Sequence, residues 1–325
     1  MGWCCHSWVF LRAPGARLSG PGVDQRCGLD CSESMPELPE VEVTRRRIAP
    51  LLVGRRIAAI TTTGPSYVFV TPPSRLQAVL PGAQIDAIDR LGKYLLVRLG
   101  DQSTLVIHLG MTGQLFSSRA TSPRLLSATA RASLAPEDQG AFKPDGHTHL
   151  TLRIEGDGPD VYFRDVRKFG KLFWLRPGEL HPRLDRLGGD ALKIDGPGLF
   201  AASRKRRIPI KALLLDQAVL AGVGNIYADE ALFLAGVRPG RRAARLTRQE
   251  AEKLAQAVVR VLKRSIETGG SSISDYVAPD GSDGGYQDER RVYARKGQPC
   301  LDCGATIVRR VVAQRSAHYC PVCQS

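Results

Sequence analysis

An α+β multidomain fold is predicted for the 325-residue chain by three observations that follow one another along it. A single helix signal at residues 38–52 precedes a long region in which apolar residues recur at every second position. Helical periodicity takes over after Gly188, and the chain ends in two pairs of cysteines. Strands first and helices later, each run with its own periodicity, is the pattern of segregated layers and not of a doubly wound sheet.

The opening helix is expected because Pro39 suits a first helical turn, while Glu40 and Glu42 offset the partial positive charge of the helix N-terminus. Pro50 disturbs its end near Leu52. Between Ile57 and Leu175 the spacing of Leu105, Ile107 and Leu109, and of Leu150, Leu152 and Ile154, predicts strands. Residues 117–146, rich in Ser, Ala, Arg and Pro, interrupt this region and read as a long mobile loop. Thr247 and Glu250 stand in capping-box spacing ahead of Ala251, Leu254, Ala255, Val258 and Leu262, which share one helix face. Gly269 and Gly270 stop that helix, and the acidic, Gly-rich stretch 271–289 reads as a flexible loop.

Cys300-x-x-Cys303 and Cys320-x-x-Cys323 suit two knuckles that place four thiolates about one structural Zn2+. With every ligand a protein sulfur, no coordination position remains for catalysis. Arg309, Arg310, Gln314 and Arg315 lie between the knuckles, where they would project towards a partner.

Lys and Arg outnumber Asp and Glu by 46 to 32, a net charge of +14 that favours a polyanion. Arg204-Lys205-Arg206-Arg207 and Arg45-Arg46-Arg47 concentrate this charge. No apolar run reaches the length of a membrane span. Residues 1–34, with Cys4, Cys5, Cys27 and Cys31 and no periodicity, are expected to be a leader foreign to the folded protein, with Met35 as the working start. Removal of Met35 would expose Pro36 as a secondary amine, and an α-amino group has a reference pKa near 8, low enough to act as a nucleophile. Glu37 beside it would serve as general acid if its pKa were raised. The same residues also read as an ordinary Pro/Glu-rich helix entrance.

PELPEVE, RLGKYLL, HLGMTG, RKFG and AGVGNIYADEALF occur in that order before the four-cysteine module. Together, from Met35 to Ser325, they resemble the bacterial formamidopyrimidine-DNA glycosylase family. The resemblance implies an N-terminal β-sandwich with the opening helix (35–185, with the insertion 117–146), a helical domain with a helix–two-turn–helix (186–290) and a zinc hairpin (291–325). It implies an enzyme of base excision repair that removes oxidised purines from double-stranded DNA lying in a basic cleft and then nicks the strand. A soluble monomer of the bacterial cytoplasm, working at the nucleoid without a membrane partner, is expected.

By the same resemblance Pro36 forms a Schiff base at C1′, Glu37 donates a proton, Glu40 holds the opened sugar, Lys93 assists β-elimination and Arg315 assists δ-elimination. Met111, Arg167 and Phe169 fill the gap left by the flipped nucleotide, and Arg can hydrogen-bond the orphaned cytosine. The glycines of Ala221–Asn225 let backbone N–H groups approach a phosphate, with Asn225 and Lys211 completing the grip. His147 and Arg206 are further DNA contacts. Ser274 stands where some relatives have lysine, which leaves lesion preference open. Two other readings compete: an endonuclease VIII-type enzyme for oxidised pyrimidines, and a zinc protein that binds DNA without nicking it.

Overall fold

Helix α1 (Leu38–Leu52) forms where the sequence predicts it, with Pro39 in its first turn. The computed structural model describes residues 35–121, 142–204, 206–272 and 276–325, all within the unit Ser32–Ser325. The expected leader, residues 122–141 of the insertion, Lys205 and Ser274 lie outside the described residues.

After α1 come β1 (Ile57–Thr62), α2 (Pro73–Val79), β2 (Ile85–Leu91), β3 (Tyr94–Leu99), β4 (Thr104–His108), β5 (Gly113–Ser117), β6 (Thr148–Ile154), β7 (Val161–Asp165) and β8 (Lys171–Leu175). They form two four-stranded sheets, ordered β1-β6-β7-β5 and β2-β3-β4-β8, with every pairing antiparallel. This is the expected sandwich. Leu105, Ile107, Leu150 and Leu152 meet in its interior. The second sheet is apolar on both faces, because Leu96, Val106, Phe173 and Leu175 pack outside it with Leu184 of α3 (Pro182–Asp185).

The helical part comprises α4 (Gly196–Arg204), α5 (Ile210–Leu215), α6 (Asn225–Leu234) and α7 (Arg248–Glu267). Thr247 and Glu250 make the predicted capping box, and all five residues of the predicted apolar face are buried. Gly269 and Gly270 end α7 at φ +83° and +87°, a conformation open to glycine without a Cβ penalty. The strands β9 (Gly189–Asp190) and β10 (Leu220–Ala221) pair in parallel, and β11 (Val308–Val312) with β12 (Arg315–Tyr319) make the terminal hairpin.

Two corrections concern packing. Residues 276–289 are not a free loop: Tyr276, Val277, Ala278 and Tyr286 are buried, and Ser117 and Thr121 donate backbone hydrogen bonds to Pro279 and Asp280. The ends of the insertion are also ordered, with Phe142 packed between Phe116 and Tyr162. Glycine-rich composition signalled chain freedom, but in this stretch it serves close backbone approach, as at Gly284 against the Gly270 carbonyl.

Helix α1 belongs to two cores. Leu38 and Val43 are part of the helical core, whereas Val41, Ile48 and Leu52 are part of the sandwich core. The carboxylates at its N-terminus therefore lie at the seam.

Candidate active site

Glu37 precedes α1 and is 2% exposed. Its Oε1 accepts the Ile226 N–H at 2.9 Å, so the N-terminus of α6 holds a carboxylate, as the unpaired amides of a helix start favour. Its Oε2 is buried with no hydrogen-bond partner among the described residues. Burial pushes the Glu37 carboxyl up to about 7, against the pull of the Lys93 ammonium and with a push from Glu40. At neutral pH about half of such groups carry a proton.

The Gly-x-Gly turn explains this placement. A Cβ on Gly224 would collide with the Glu37 side chain, and Gly222, at φ +113°, faces Leu38 in the same way. Leu38 also donates its N–H to the Gly222 carbonyl at 3.0 Å. The glycines expected to admit a phosphate thus admit the N-terminal segment.

Glu40 lies directly behind Glu37. Its carboxylate accepts the Tyr227 hydroxyl at 2.5 Å, the Ser271 N–H at 2.8 Å and the Glu37 N–H at 2.8 Å. Buried and occupied in this way, it braces Glu37. Tyr227 stood out in the sequence only as a member of the AGVGNIYADEALF motif, and Ser271 belongs to none of the motifs named above.

Lys93 sits on the turn between β2 and β3 and is 8% exposed. Burial lowers its pKa, Glu37 and Glu40 raise it, and the Arg315 guanidinium lowers it further. Its turn is fixed from both sides. A Cβ on Gly92 would come within 3.1 Å of the Ala221 Cβ. Arg90 donates to the Gly92 carbonyl at 3.0 Å and pairs with Glu42 and Asp190 at 3.1 and 2.8 Å. Arg90 was legible only as a member of the RLGKYLL motif. A cavity of about 390 Å³ opens here, lined by Met35, Lys93, Tyr94, His108, Arg183 and Arg186 among others. His108 packs against Tyr94 with the rings tilted by 40° and 4.6 Å between centroids, and burial, with Lys93 nearby, lowers its pKa to about 3, so the imidazole is neutral.

Asn225 opens α6 and donates to the Ser316 hydroxyl at 3.2 Å, joining the two-turn element to the zinc hairpin. Arg315 follows a tight turn in which Ala313 and Gln314 both have positive φ, and it is exposed. Lys211, expected at a phosphate, is engaged within the chain. Its side chain is 0% exposed, paired with Asp229 at 2.6 Å and bonded to the Ser316 carbonyl. Asp229 also accepts the His318 N–H at 2.8 Å, so this pair fastens the hairpin. Arg45 and Arg46 are likewise engaged by Glu42, and Arg47 by Asp280 and Ser282. Arg206 pairs with Asp216 at 2.7 Å while keeping 41% of its side chain exposed.

Met111, Arg167 and Phe169 form a second group. Arg167 lies over the Phe169 ring at 5.1 Å, and Phe169 is 48% exposed. His147, exposed, accepts the Asp165 N–H through its carbonyl at 2.9 Å and so neighbours this group.

The four C-terminal sulfurs lie within 4.8 Å of one another. Cys300–Cys323 and Cys303–Cys320 are 3.8 and 3.5 Å apart. Tetrahedral zinc with Zn–S near 2.3 Å requires about 3.8 Å between sulfurs, so the donor set fits this ion.

Family models match the chain in the same order as its structural parts. The formamidopyrimidine-DNA glycosylase N-terminal domain covers residues 35–172, its H2TH domain 188–277, and the zinc finger found in FPG and IleRS 297–325. The chain is 42% identical to formamidopyrimidine-DNA glycosylase of Thermus thermophilus, over 89% of this chain and 98% of that one. It is 40% identical to the Stenotrophomonas maltophilia protein of the same name, over 89% of this chain and 100% of that one. The crystal structure of MutM (Fpg) from Thermus thermophilus matches with a TM-score of 0.74. Lactococcus lactis Fpg in complex with abasic-site DNA matches with a TM-score of 0.76 at 34% identity, over 89% of this chain and 99% of that one. Among the described residues no helix is long and apolar enough to cross a membrane. In motif order, two-sheet architecture and cysteine geometry, this chain belongs to the formamidopyrimidine-DNA glycosylase family.

Proposed function

We propose that the chain is a bifunctional DNA glycosylase and abasic-site lyase that removes 8-oxoguanine and formamidopyrimidines from duplex DNA. The observation that carries this reading is Glu37: one oxygen anchored by the start of α6, the other buried and unpartnered, and a pKa near 7. Such a group can give a proton at neutral pH, which an ordinary surface glutamate cannot do.

In the chain beginning at Pro36, the ring nitrogen would face the cavity now lined by Met35. The nitrogen lone pair attacks C1′ of the damaged nucleotide as Glu37 donates its proton, and the bond from C1′ to the base breaks. The bond from C1′ to the sugar ring oxygen then breaks, the oxygen taking up the proton that the proline nitrogen releases and becoming a hydroxyl, which leaves a cationic iminium that draws electrons from C2′. Removal of a C2′ proton then expels the 3′ phosphate, and a second elimination expels the 5′ phosphate. Lys93 and Arg315, close enough to perturb each other, supply positive charge to the phosphates. Met111, Arg167 and Phe169 occupy the vacated duplex position, and His147, Arg206 and Asn225 position the backbone. One zinc ion held by Cys300, Cys303, Cys320 and Cys323 stabilises the hairpin, and the working enzyme is a monomer of the cytoplasm acting at the nucleoid. The start of the family match at residue 35 supports Pro36 as the mature terminus.

Borohydride trapping tests the chemistry. Protein beginning at Pro36 is expected to give a covalent adduct with a duplex carrying 8-oxoguanine opposite cytosine, and protein retaining residues 1–35 is expected to give none. Tight binding by the Pro36 form without an adduct would overturn the reading.

A further inference from the structure

The three side chains assigned to the vacated duplex position come from two separate connections. Met111 lies between β4 and β5, and Arg167 and Phe169 lie between β7 and β8. Because β4 pairs with β8 in one sheet and β5 with β7 in the other, both connections cross the sandwich side by side. Nothing in strand pairing fixes the height of one against the other.

Asp165 does. It is the last residue of β7, opposite Gly113, and is 0% exposed. Its Oδ1 accepts the Thr112 hydroxyl at 2.5 Å, beside Met111, and its Oδ2 accepts the Gly170 N–H at 2.7 Å, beside Phe169. The Thr112 oxygen in turn accepts the Arg167 N–H at 3.0 Å. Gly110 permits the approach, since a Cβ there would come within 2.5 Å of the Phe169 carbonyl carbon. Between Arg167 and Phe169, Lys168 is held at φ +59°, a backbone state that persists in a non-glycine residue only when its surroundings impose it. Behind the carboxylate, His149 Nε2 meets the Asp165 carbonyl at 3.0 Å and Nδ1 meets the Thr63 hydroxyl at 3.0 Å. A carbonyl can only accept, so Nε2 carries the proton.

We propose that Asp165 is a positioning residue for opposite-strand recognition, holding Arg167 and Phe169 in register with Met111 through one carboxylate. The proposal rests on the reading of those three as the gap-filling group. A rigid clamp matters because a recognition group displaced by a fraction of an ångström loses its hydrogen bonds while keeping its charge. Discrimination between opposite bases is therefore the quantity Asp165 sets.

The test needs no catalysis and uses the full chain. Dissociation constants are measured by fluorescence anisotropy for duplexes carrying a tetrahydrofuran abasic analogue opposite cytosine and opposite adenine. Wild type is expected to prefer cytosine, and Arg167→Ala to abolish the preference. Asp165→Ala is expected to reduce the cytosine-over-adenine ratio about fivefold to tenfold, as loss of one well-placed hydrogen bond does. Thr112→Val, which removes the hydroxyl and keeps the shape, is expected to act in the same direction. Asp165→Asn is expected to restore part of the ratio, since its carbonyl can face Gly170 and its amide can face Thr112. The ratio is internal to each protein, so loss of folded molecules does not move it. If Asp165→Ala does not fold, Thr112→Val decides. An unchanged ratio in both, with Arg167→Ala still collapsing it, overturns the role of Asp165 alone. A wild type without preference, or an Arg167→Ala variant that keeps it, overturns the gap-filling reading and this proposal with it.

Discussion

Replacing Glu37 by glutamine separates stability from chemistry in a direction that can be worked out beforehand. The unfolded carboxyl releases its proton near 4.5 and the folded one near 7. Between those values the folded state binds the extra proton, so stability is fully present below the lower value and falls as pH rises to the upper one. At about 1.4 kcal/mol per pKa unit the loss amounts to about 3 kcal/mol. Glutamine carries no charge and has no such slope. Its Oε1 can keep the Ile226 bond, while its amide nitrogen would replace the unpartnered Oε2 at a cost of about 1 kcal/mol. At pH 8 the variant is therefore expected to be about 2 kcal/mol more stable than wild type and to melt a few degrees higher. Thermal melts of both proteins from pH 4.5 to 8.5 measure the difference. In the protein beginning at Pro36, single-turnover base excision should be bell-shaped, because Glu37 must be protonated and the amine neutral. With values near 7 and 8 the optimum lies at about pH 7.5, where roughly 6% of molecules hold both states. Glu37→Gln should lower base excision by a factor of about 10² to 10⁴. Parallel melting curves across the pH range, or an excision rate that keeps rising beyond pH 8.5, would refute the assignment.

Gly224→Ala places a methyl group against the Glu37 side chain and should cost about 1–3 kcal/mol while depressing excision, read by melting and single-turnover kinetics. Lys211→Met leaves Asp229 charged and buried, so it should destabilise the protein by about 3–5 kcal/mol. The same variant should leave the salt dependence of DNA binding unchanged, whereas a lost phosphate contact would reduce the slope by about one. Metal analysis should find about one zinc per chain. Its removal by a chelator should lower both the melting temperature and the affinity for duplex DNA, with a chelator-insensitive protein as the contrary result.

Alternation at Leu150, Leu152 and Ile154 carried β6, one apolar face behind a capping box carried α7, and Pro39 with the early glutamates carried the opening helix. The metal site was legible for the same kind of reason: two short spacings determine its geometry. What composition obscured was direction. Lys211 and Arg45 read as free cations, yet Asp229 and Glu42 face them, and a pairing eighteen residues apart or across a helix turn leaves no distinct mark in composition. The glycines of the two-turn element read as a phosphate site because a missing Cβ does not say what occupies the space. Glu40 and Asp165 depend on partners 187 and 53 residues away, contacts that only the tertiary fold creates.

The division of α1 between two cores bears on how the molecule comes apart. A cut near residue 186 would follow the sequence boundary, yet the C-terminal fragment would lack Leu38 and Val43, and its exposed apolar hollow would invite association with other chains. The two halves cannot melt independently while one helix is shared, so calorimetry should give a single cooperative transition. A strain that drew the halves apart would be conveyed by the same fifteen residues to the buried Glu37 just before them, and so to the Ile226 N–H that holds its carboxyl.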